Sequence, residues 1–126
     1  MKRLLLTCAL GMIAGAAHAA GGCETPRTPF DQAYCLSTVY AQSDHELNDT
    51  YTRLRKQLNA NDQAALKQGQ LAWIKQRDSQ CGEQRGNAFL VDLSCAIETT
   101  QSRLSFLKTR ERECRSTGCV HAELGK

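Results

Sequence analysis

Seven cysteines in a chain of 126 residues constrain the fold more than any other feature of the sequence. Cys8 lies in an apolar N-terminal run, and six more follow it: Cys23, Cys35, Cys81, Cys95, Cys114 and Cys119. An even number of cysteines in an exported chain indicates disulfides rather than free thiols. A core this small also gains stability from such cross-links, because they restrict the unfolded chain. We therefore expect one small domain held by three disulfides.

The N-terminus has the parts of a secretory signal peptide. Lys2 and Arg3 precede an apolar run over residues 4–17, and Ala17-His18-Ala19 offers a cleavage site with small residues. The run is shorter than the roughly 20 residues that span a bilayer. We predict a signal peptide over residues 1–19 and a periplasmic or secreted mature protein with no stable membrane insertion. Cys23 lacks the preceding Leu of a lipoprotein signal, so its lipidation is the less favoured alternative.

Charge and residue content argue against several classes of function. Removal of the signal peptide would lower the formal net charge from +3 to +1, which offers no basis for binding nucleic acid. The mature chain has two histidines and no phosphate-binding loop, zinc-protease motif or serine nucleophile motif. A nucleophile pair of Cys35 and His45 would need a free thiol. We predict a protein that is not an enzyme and needs no cofactor.

The spacing of the cysteines favours pairing between neighbours in the sequence. Cys23 would join Cys35, Cys81 would join Cys95 across a connection between two helices, and Cys114 would join Cys119. The alternative is a zinc site at Cys114, Cys119 and His121. Its spacing is atypical, and an oxidising compartment disfavours free thiolates, so we predict no metal.

Hydrophobic periodicity predicts helices along most of the mature chain. Residues 20–29 contain glycines and prolines and are predicted to form an irregular arm. A short helix is expected over 30–40. A new helix is expected over 44–59, because Ser43 and Glu46 have the spacing of a capping box. One face of that helix carries Leu47, Tyr51, Leu54 and Leu58.

Capping residues and hydrophobic periodicity in the second half of the chain predict two more helices. Asn61 is the predicted cap of a helix over 62–80, a polar loop follows over 82–87, and a long helix begins near Asn87. No strand-like alternation is visible. The predicted fold is all-α: a small disulfide-stapled bundle with an antiparallel helical hairpin, a long third helix and a short N-terminal helix. The domain would span residues 30–114, with a polar, loose tail over 115–126.

The short loop between the first two long helices predicts which of their residues face each other. Antiparallel pairing places Asp44 opposite Arg77 and Tyr51 opposite Gln70. An arginine on an apolar stripe needs a partner, so we predict an ion pair between Asp44 and Arg77. Asp78 opposes the dipole of its helix and should find a loop amide or a basic residue of the third helix.

Three groups of residues resemble the LprI-type lysozyme inhibitor family over roughly residues 30–107. The first group is Asp44-x-Glu46-Leu47-Asn48-x-x-Tyr51, and the second is Gln70-x-x-Trp73-x-x-x-Arg77-Asp78-x-x-Cys81. The third is Cys95-x-x-x-Thr99-x-x-x-Arg103. The resemblance implies an exported helical domain and, for part of the family, inhibition of lysozyme. It implies no established inhibitory residues.

We interpret the shared residues as structural: Trp73 as a core side chain, and Gln70 and Arg77 as partners between helices. The hypothesis is that the protein blocks the cleft of a lysozyme-like peptidoglycan hydrolase. Asp44, Glu46 and Asp49 are the candidate contacts, although a helix start also favours acidic residues. The alternative is an envelope interaction or scaffold module without inhibitory activity.

Overall fold

The computed structural model describes residues 23–126, so the predicted signal peptide over residues 1–19 lies outside the described residues. Three helices dominate this part of the chain: α1 (Pro29–Arg55), α2 (Ala60–Cys81) and α3 (Leu93–Ser116). Two short strands, β1 (Gly82–Arg85) and β2 (Ala88–Val91), lie between α2 and α3, and a 3-10 helix follows over His121–Glu123. The predicted all-α class is confirmed, with a small β-hairpin added to it.

The helix α1 is continuous, so the predictions of a separate short helix and of a capping box at Ser43 are wrong. Its start is capped by Thr28, whose Oγ1 accepts a hydrogen bond of 3.0 Å from the Asp31 backbone N–H. Pro29 suits the first turn because its missing N–H is not needed there. Ala41 and Gln42 favour helix, so nothing interrupts the chain before Ser43, which is buried inside α1.

The connection between α2 and α3 is a β-hairpin, not the predicted polar loop followed by a helix from Asn87. The strands are antiparallel, with Gly82 opposite Val91 and Arg85 opposite Ala88. The turn consists of Gly86 and Asn87. Gly86 has a φ of +57°, and a tight hairpin turn favours glycine at its first position because that position needs a positive φ. The helix α3 starts only after Asp92, whose side chain accepts a hydrogen bond from the Cys95 N–H.

The loop between α1 and α2 is as short as predicted, but α2 begins earlier. Asn59, and not Asn61, caps α2, because Asn59 Oδ1 accepts a hydrogen bond of 3.0 Å from the Asp62 backbone N–H. The helix α1 packs mainly against α3, with fewer contacts between α2 and α3. The buried core consists of leucines from all three helices and the tail: Leu47, Leu54, Leu58, Leu66, Leu104, Leu107 and Leu124.

The three disulfides are those between neighbouring cysteines, which confirms the predicted pairing. Cys23 joins Cys35, Cys81 joins Cys95 across the hairpin, and Cys114 joins Cys119. None of the helices in residues 23–126 is long and apolar enough to cross a membrane.

The C-terminal residues 117–126 fold back on the bundle, where a loose tail was predicted. Leu124 is fully buried in the core, and His121 Nδ1 lies 2.6 Å from Asp62 Oδ2. Glu123 accepts a hydrogen bond from Lys126 Nζ, which is the main reason why the pKa of its carboxyl lies below its ordinary value. A side chain at Gly69 would collide with the backbone of Gly125. The tail is therefore part of the folded domain.

Candidate partner-binding surface

The motif on α2 places Arg77 between two carboxylates. Its Nη1 lies 3.8 Å from Asp44 Oδ1 on α1, so the predicted ion pair is present as a long one. Its Nε and Nη2 donate closer hydrogen bonds, 2.9 and 2.7 Å long, to Asp78 Oδ1. Asp78 was expected to bind a loop amide or a residue of the third helix. It binds the neighbouring Arg77 instead.

Trp73 lies at the edge of the core and is flanked by two guanidinium groups. Arg77 is 5.2 Å and Arg103 6.0 Å from the centre of its ring. Arg103 also lies 4.6 Å from the ring of Phe106, which stacks in turn near Arg110 at 5.3 Å. Trp73 is half-buried and not fully enclosed in the core, and both guanidinium groups lie against its ring.

The hydrogen-bond partner of Gln70 is Arg103, which the sequence did not predict; Tyr51, the predicted contact of Gln70, lines the same groove between α1 and α2. Arg103 Nε donates a hydrogen bond of 2.9 Å to Gln70 Oε1, and its Nη1 donates one of 2.6 Å to the carbonyl oxygen of Lys126. Burial lowers the pKa of Arg103 to about 10, so the group is still protonated at neutral pH. The prediction compared only the first two long helices. Arg103, at the end of the third motif, was the buried cation that it left out.

The three acidic residues proposed as contacts already have partners within the domain. Asp44 accepts a hydrogen bond of 3.0 Å from Asn48 Nδ2, and Asp49 lies 3.4 Å from His45 Nε2. Glu46 forms an ion pair with Lys108 of α3. The side chains of Glu46 and Asp49 are 54% and 56% exposed. They remain open to a partner, although Lys108 neutralises part of the charge of Glu46.

Leu47 and Tyr51 of the first motif pack in the core or against it. Leu47 is 1% exposed and belongs to the core, and Tyr51 packs against that core while remaining half-buried. The spacing that places them on one face of α1 is the helical one from which they were predicted.

The β-hairpin presents apolar side chains to solvent. Phe89, Leu90 and Val91 are 55%, 45% and 50% exposed. We call these three residues, with the turn at Gly86-Asn87 and the flanking Arg85, the hairpin surface. The sequence signals for it were the Gly-Asn turn and a run of strand-forming residues.

A cavity of about 200 Å³ lies at the base of the hairpin surface. Its wall is mostly apolar and includes Tyr40 of α1, Phe89 and Val91 of β2, and Leu93 of α3. Gly82 must lack a side chain because a Cβ there would collide with the ring of Phe89. The disulfide between Cys81 and Cys95 closes the hairpin at its base. The hairpin surface is thus a fixed projection with an apolar recess beside it.

Within residues 23–126, no group of three or more His, Cys, Asp or Glu side chains could hold a metal ion. The exposed features of this part of the chain are an apolar strand, Arg85 beside the turn and an acidic face on α1. Such features describe a small, disulfide-braced domain with a projecting hairpin.

Comparison with known proteins gives this class of protein a family. A family model described as "Lysozyme inhibitor LprI" matches residues 23–107, and the chain belongs to this family. An uncharacterized protein of Rhizobium meliloti (strain 1021), R02472, is 31% identical over 105 residues, covering 68% of this chain and 76% of the relative. No solved structure matches the chain significantly. The family is described by inhibition of an enzyme and not by a reaction of its own.

Proposed function

We propose that this protein acts outside the cytoplasm by binding a lysozyme-like peptidoglycan hydrolase and blocking its substrate cleft. The observation that carries the proposal is membership of a family described as lysozyme inhibitors. Three disulfides support export, because such bonds persist in oxidising compartments. The predicted signal peptide agrees with that location. The proposal involves no reaction and no cofactor.

The hairpin surface is the proposed point of entry into the cleft. A two-stranded hairpin is narrow, and its base is fixed by a disulfide, so little flexibility would be lost on binding. Exposed Phe89, Leu90 and Val91 would supply apolar contact area, which usually dominates the centre of an interface.

The charge at the tip also favours this orientation. Glycoside hydrolases generally place a pair of carboxyl groups at the scissile bond. Arg85, next to the turn, has a side chain that is 67% exposed and is paired only with the equally exposed Glu83. A cationic tip is complementary to an acidic cleft. Asp44, Glu46 and Asp49 would then contribute steering toward the basic outer surface of a hydrolase.

An assay of cell-wall clearing tests the proposal directly. The purified protein, added to lysozyme and a suspension of bacterial cell walls, should slow the fall in turbidity in a saturable manner. Val91→Ser should weaken the inhibition at least about fivefold, as loss of an apolar contact at an interface centre does. Val120→Ser is the matched control, because Val120 is 42% exposed but lies in the tail, away from the hairpin.

Two results would contradict the proposed contact surface, and a third would contradict the proposed function. Equal losses in the two variants would exclude the hairpin surface as the contact. A stronger loss in a variant combining Glu46→Gln and Asp49→Asn would instead assign the contact to the acidic face of α1. No binding to any muramidase would contradict the function itself and would leave an interaction or scaffold module.

A further inference from the structure

A groove between α1 and α2 has the features of a ligand site that is separate from the hairpin surface. Because α1 packs mainly against α3, its contact with α2 is sparse. The groove left between them has a volume of about 400 Å³. Its lining is Asn48, Tyr51 and Arg55 from α1, and Lys67, Gln70, Leu71 and Ile74 from α2. We call this lining the α1–α2 groove.

Gln70 forms an oriented floor for the groove. The residue is only 7% exposed, and its Oε1 accepts the hydrogen bond from Arg103 Nε. A guanidinium group can only donate hydrogen bonds, so the amide cannot be turned the other way. The Nε2 donor of Gln70 therefore points away from Arg103 and has no partner among the described residues. The buried arginine fixes the direction of a free donor.

Asn48 supplies the opposite polarity at the other wall. Its Nδ2 donates both to the main-chain oxygen of Asp44 and to Asp44 Oδ2, at 2.9 and 3.0 Å. Its Oδ1 is thereby left as a free acceptor. Tyr51, with a hydroxyl that can both donate and accept, lies on the same wall. One donor, one acceptor and one hydroxyl suit a ligand that carries several hydroxyl groups.

The charge of the groove is positive. Arg55 and Lys67 both line it, no carboxylate does, and neither cation forms an ion pair with another described residue. Asp44, Glu46 and Asp49 of α1 lie instead beside Arg77, Lys108 and His45, respectively. A ligand with one carboxylate would neutralise this charge without displacing an internal partner.

The apolar part of the lining completes the pattern. Leu71 is 51% exposed, and the ring of Tyr51 and the side chain of Ile74 lie nearby in the lining. Aliphatic and aromatic surfaces suit the C–H face of a sugar ring. We propose that the α1–α2 groove binds a sugar that carries a carboxylate. This inference goes beyond the proposed function and does not depend on it.

Titration with sugars that differ in one group tests the inference. N-acetylmuramic acid and N-acetylglucosamine share a ring and an N-acetyl group, and only the first carries a lactyl carboxylate. In ¹H–¹⁵N spectra of the full domain, N-acetylmuramic acid should shift the amide signals of residues lining the groove. N-acetylglucosamine should bind about fivefold more weakly, as expected for one partly exposed ion pair.

Two lysine variants and lactate, the acidic fragment of N-acetylmuramic acid, distinguish a specific site from nonspecific attraction of anions. Lys67→Gln should weaken binding of N-acetylmuramic acid about fivefold, whereas Lys75→Gln should not, because Lys75 is an exposed cation of α2 outside the groove. Lactate alone should bind far more weakly than the complete sugar. Equal affinity for the two sugars, equal effects of the two lysine variants, or shifts of the same size with lactate would each overturn the proposal. Loss of lysozyme inhibition in Val91→Ser with unchanged sugar binding would keep the two sites distinct.

Discussion

Two arginines lie against the same indole ring of Trp73, and their charges are satisfied in opposite ways. Arg77 has a side chain that is 16% exposed, and it contacts the carboxylates of Asp44 and Asp78, which are 39% and 52% exposed. Arg103 is 5% exposed, and its hydrogen bonds go to the side-chain amide oxygen of Gln70 and to a main-chain oxygen of Lys126. One side of Trp73 is a partly exposed cluster of ion pairs with two side-chain carboxylates, and the other is a buried charge that depends on an amide oxygen and a main-chain oxygen.

The difference predicts where the domain is sensitive to substitution. An exposed ion pair contributes little to stability, since water solvates its members almost as well. A buried guanidinium depends on every acceptor that it has, because an unsatisfied buried charge is costly. Arg103 is already short of one acceptor, as its Nη2 has no partner among the described residues. We therefore expect larger effects on the Arg103 side, which includes α3 and the tail.

The largest effect is expected at Leu124, which holds the tail against the Arg103 side. Leu124→Ala should lower the free energy of unfolding by about 3 kcal/mol, because it leaves a cavity in a fully packed core. It should also loosen the carbonyl of Lys126 from Arg103. Chemical denaturation with the disulfides intact measures the change. Val120→Ala, at an exposed position of the same tail, should cost less than about 0.5 kcal/mol. Equal costs would mean that the tail does not complete the core.

A smaller loss is expected when Arg103 is deprived of its side-chain acceptor. Gln70→Leu preserves the approximate volume but leaves the Nε donor of a buried cation unpaired, which should cost about 2 kcal/mol. The control is the same substitution in an Arg103→Met background, where no charge remains to be satisfied. There the cost should fall by at least about 1 kcal/mol, as coupled neighbours in a double-mutant cycle do. An unchanged cost would show that Gln70 contributes by packing alone.

The sequence predicted the features that depend on local signals. Cysteine spacing was sufficient for the disulfides, and periodic leucines were sufficient for three helices and most of the core. The pair of Asp44 and Arg77 followed from a short loop that forces two helices to run antiparallel. The disulfides and helices were inferred from residues that are close in the chain, and the pair of Asp44 and Arg77 needed only the register of two consecutive helices joined by a short loop.

The features that were missed depend on competition between signals or on a third element. Leu90 continues the helical spacing of Leu93 and Ile97, and this periodicity concealed a strand that the Gly-Asn turn could have indicated. Ser43 and Glu46 have the spacing of a capping box, but such a pair starts a helix only where the preceding one has ended. No residue before Ser43 ends α1. The hydrogen bond between Gln70 and Arg103 joins α2 to α3, whereas the prediction had compared only α1 with α2. Leu124 stands alone in a polar segment, so no periodicity predicts its burial.

The smallest effect is expected at Arg77, on the solvated side of Trp73. Arg77→Met should change the free energy of unfolding by less than about 1 kcal/mol, because its ion pairs are partly exposed and the Asp44 contact is long. The carboxylates that lose a partner can be hydrated at the surface, and Asp44 keeps its hydrogen bond from Asn48. Denaturation at low and high salt should show that the difference between wild type and Arg77→Met shrinks as salt screens the pairs. A cost as large as that of Gln70→Leu, unaffected by salt, would contradict the comparison. It would mean that Trp73 depends on both of its arginines equally, and that exposure of the partners does not decide which one stabilises the fold.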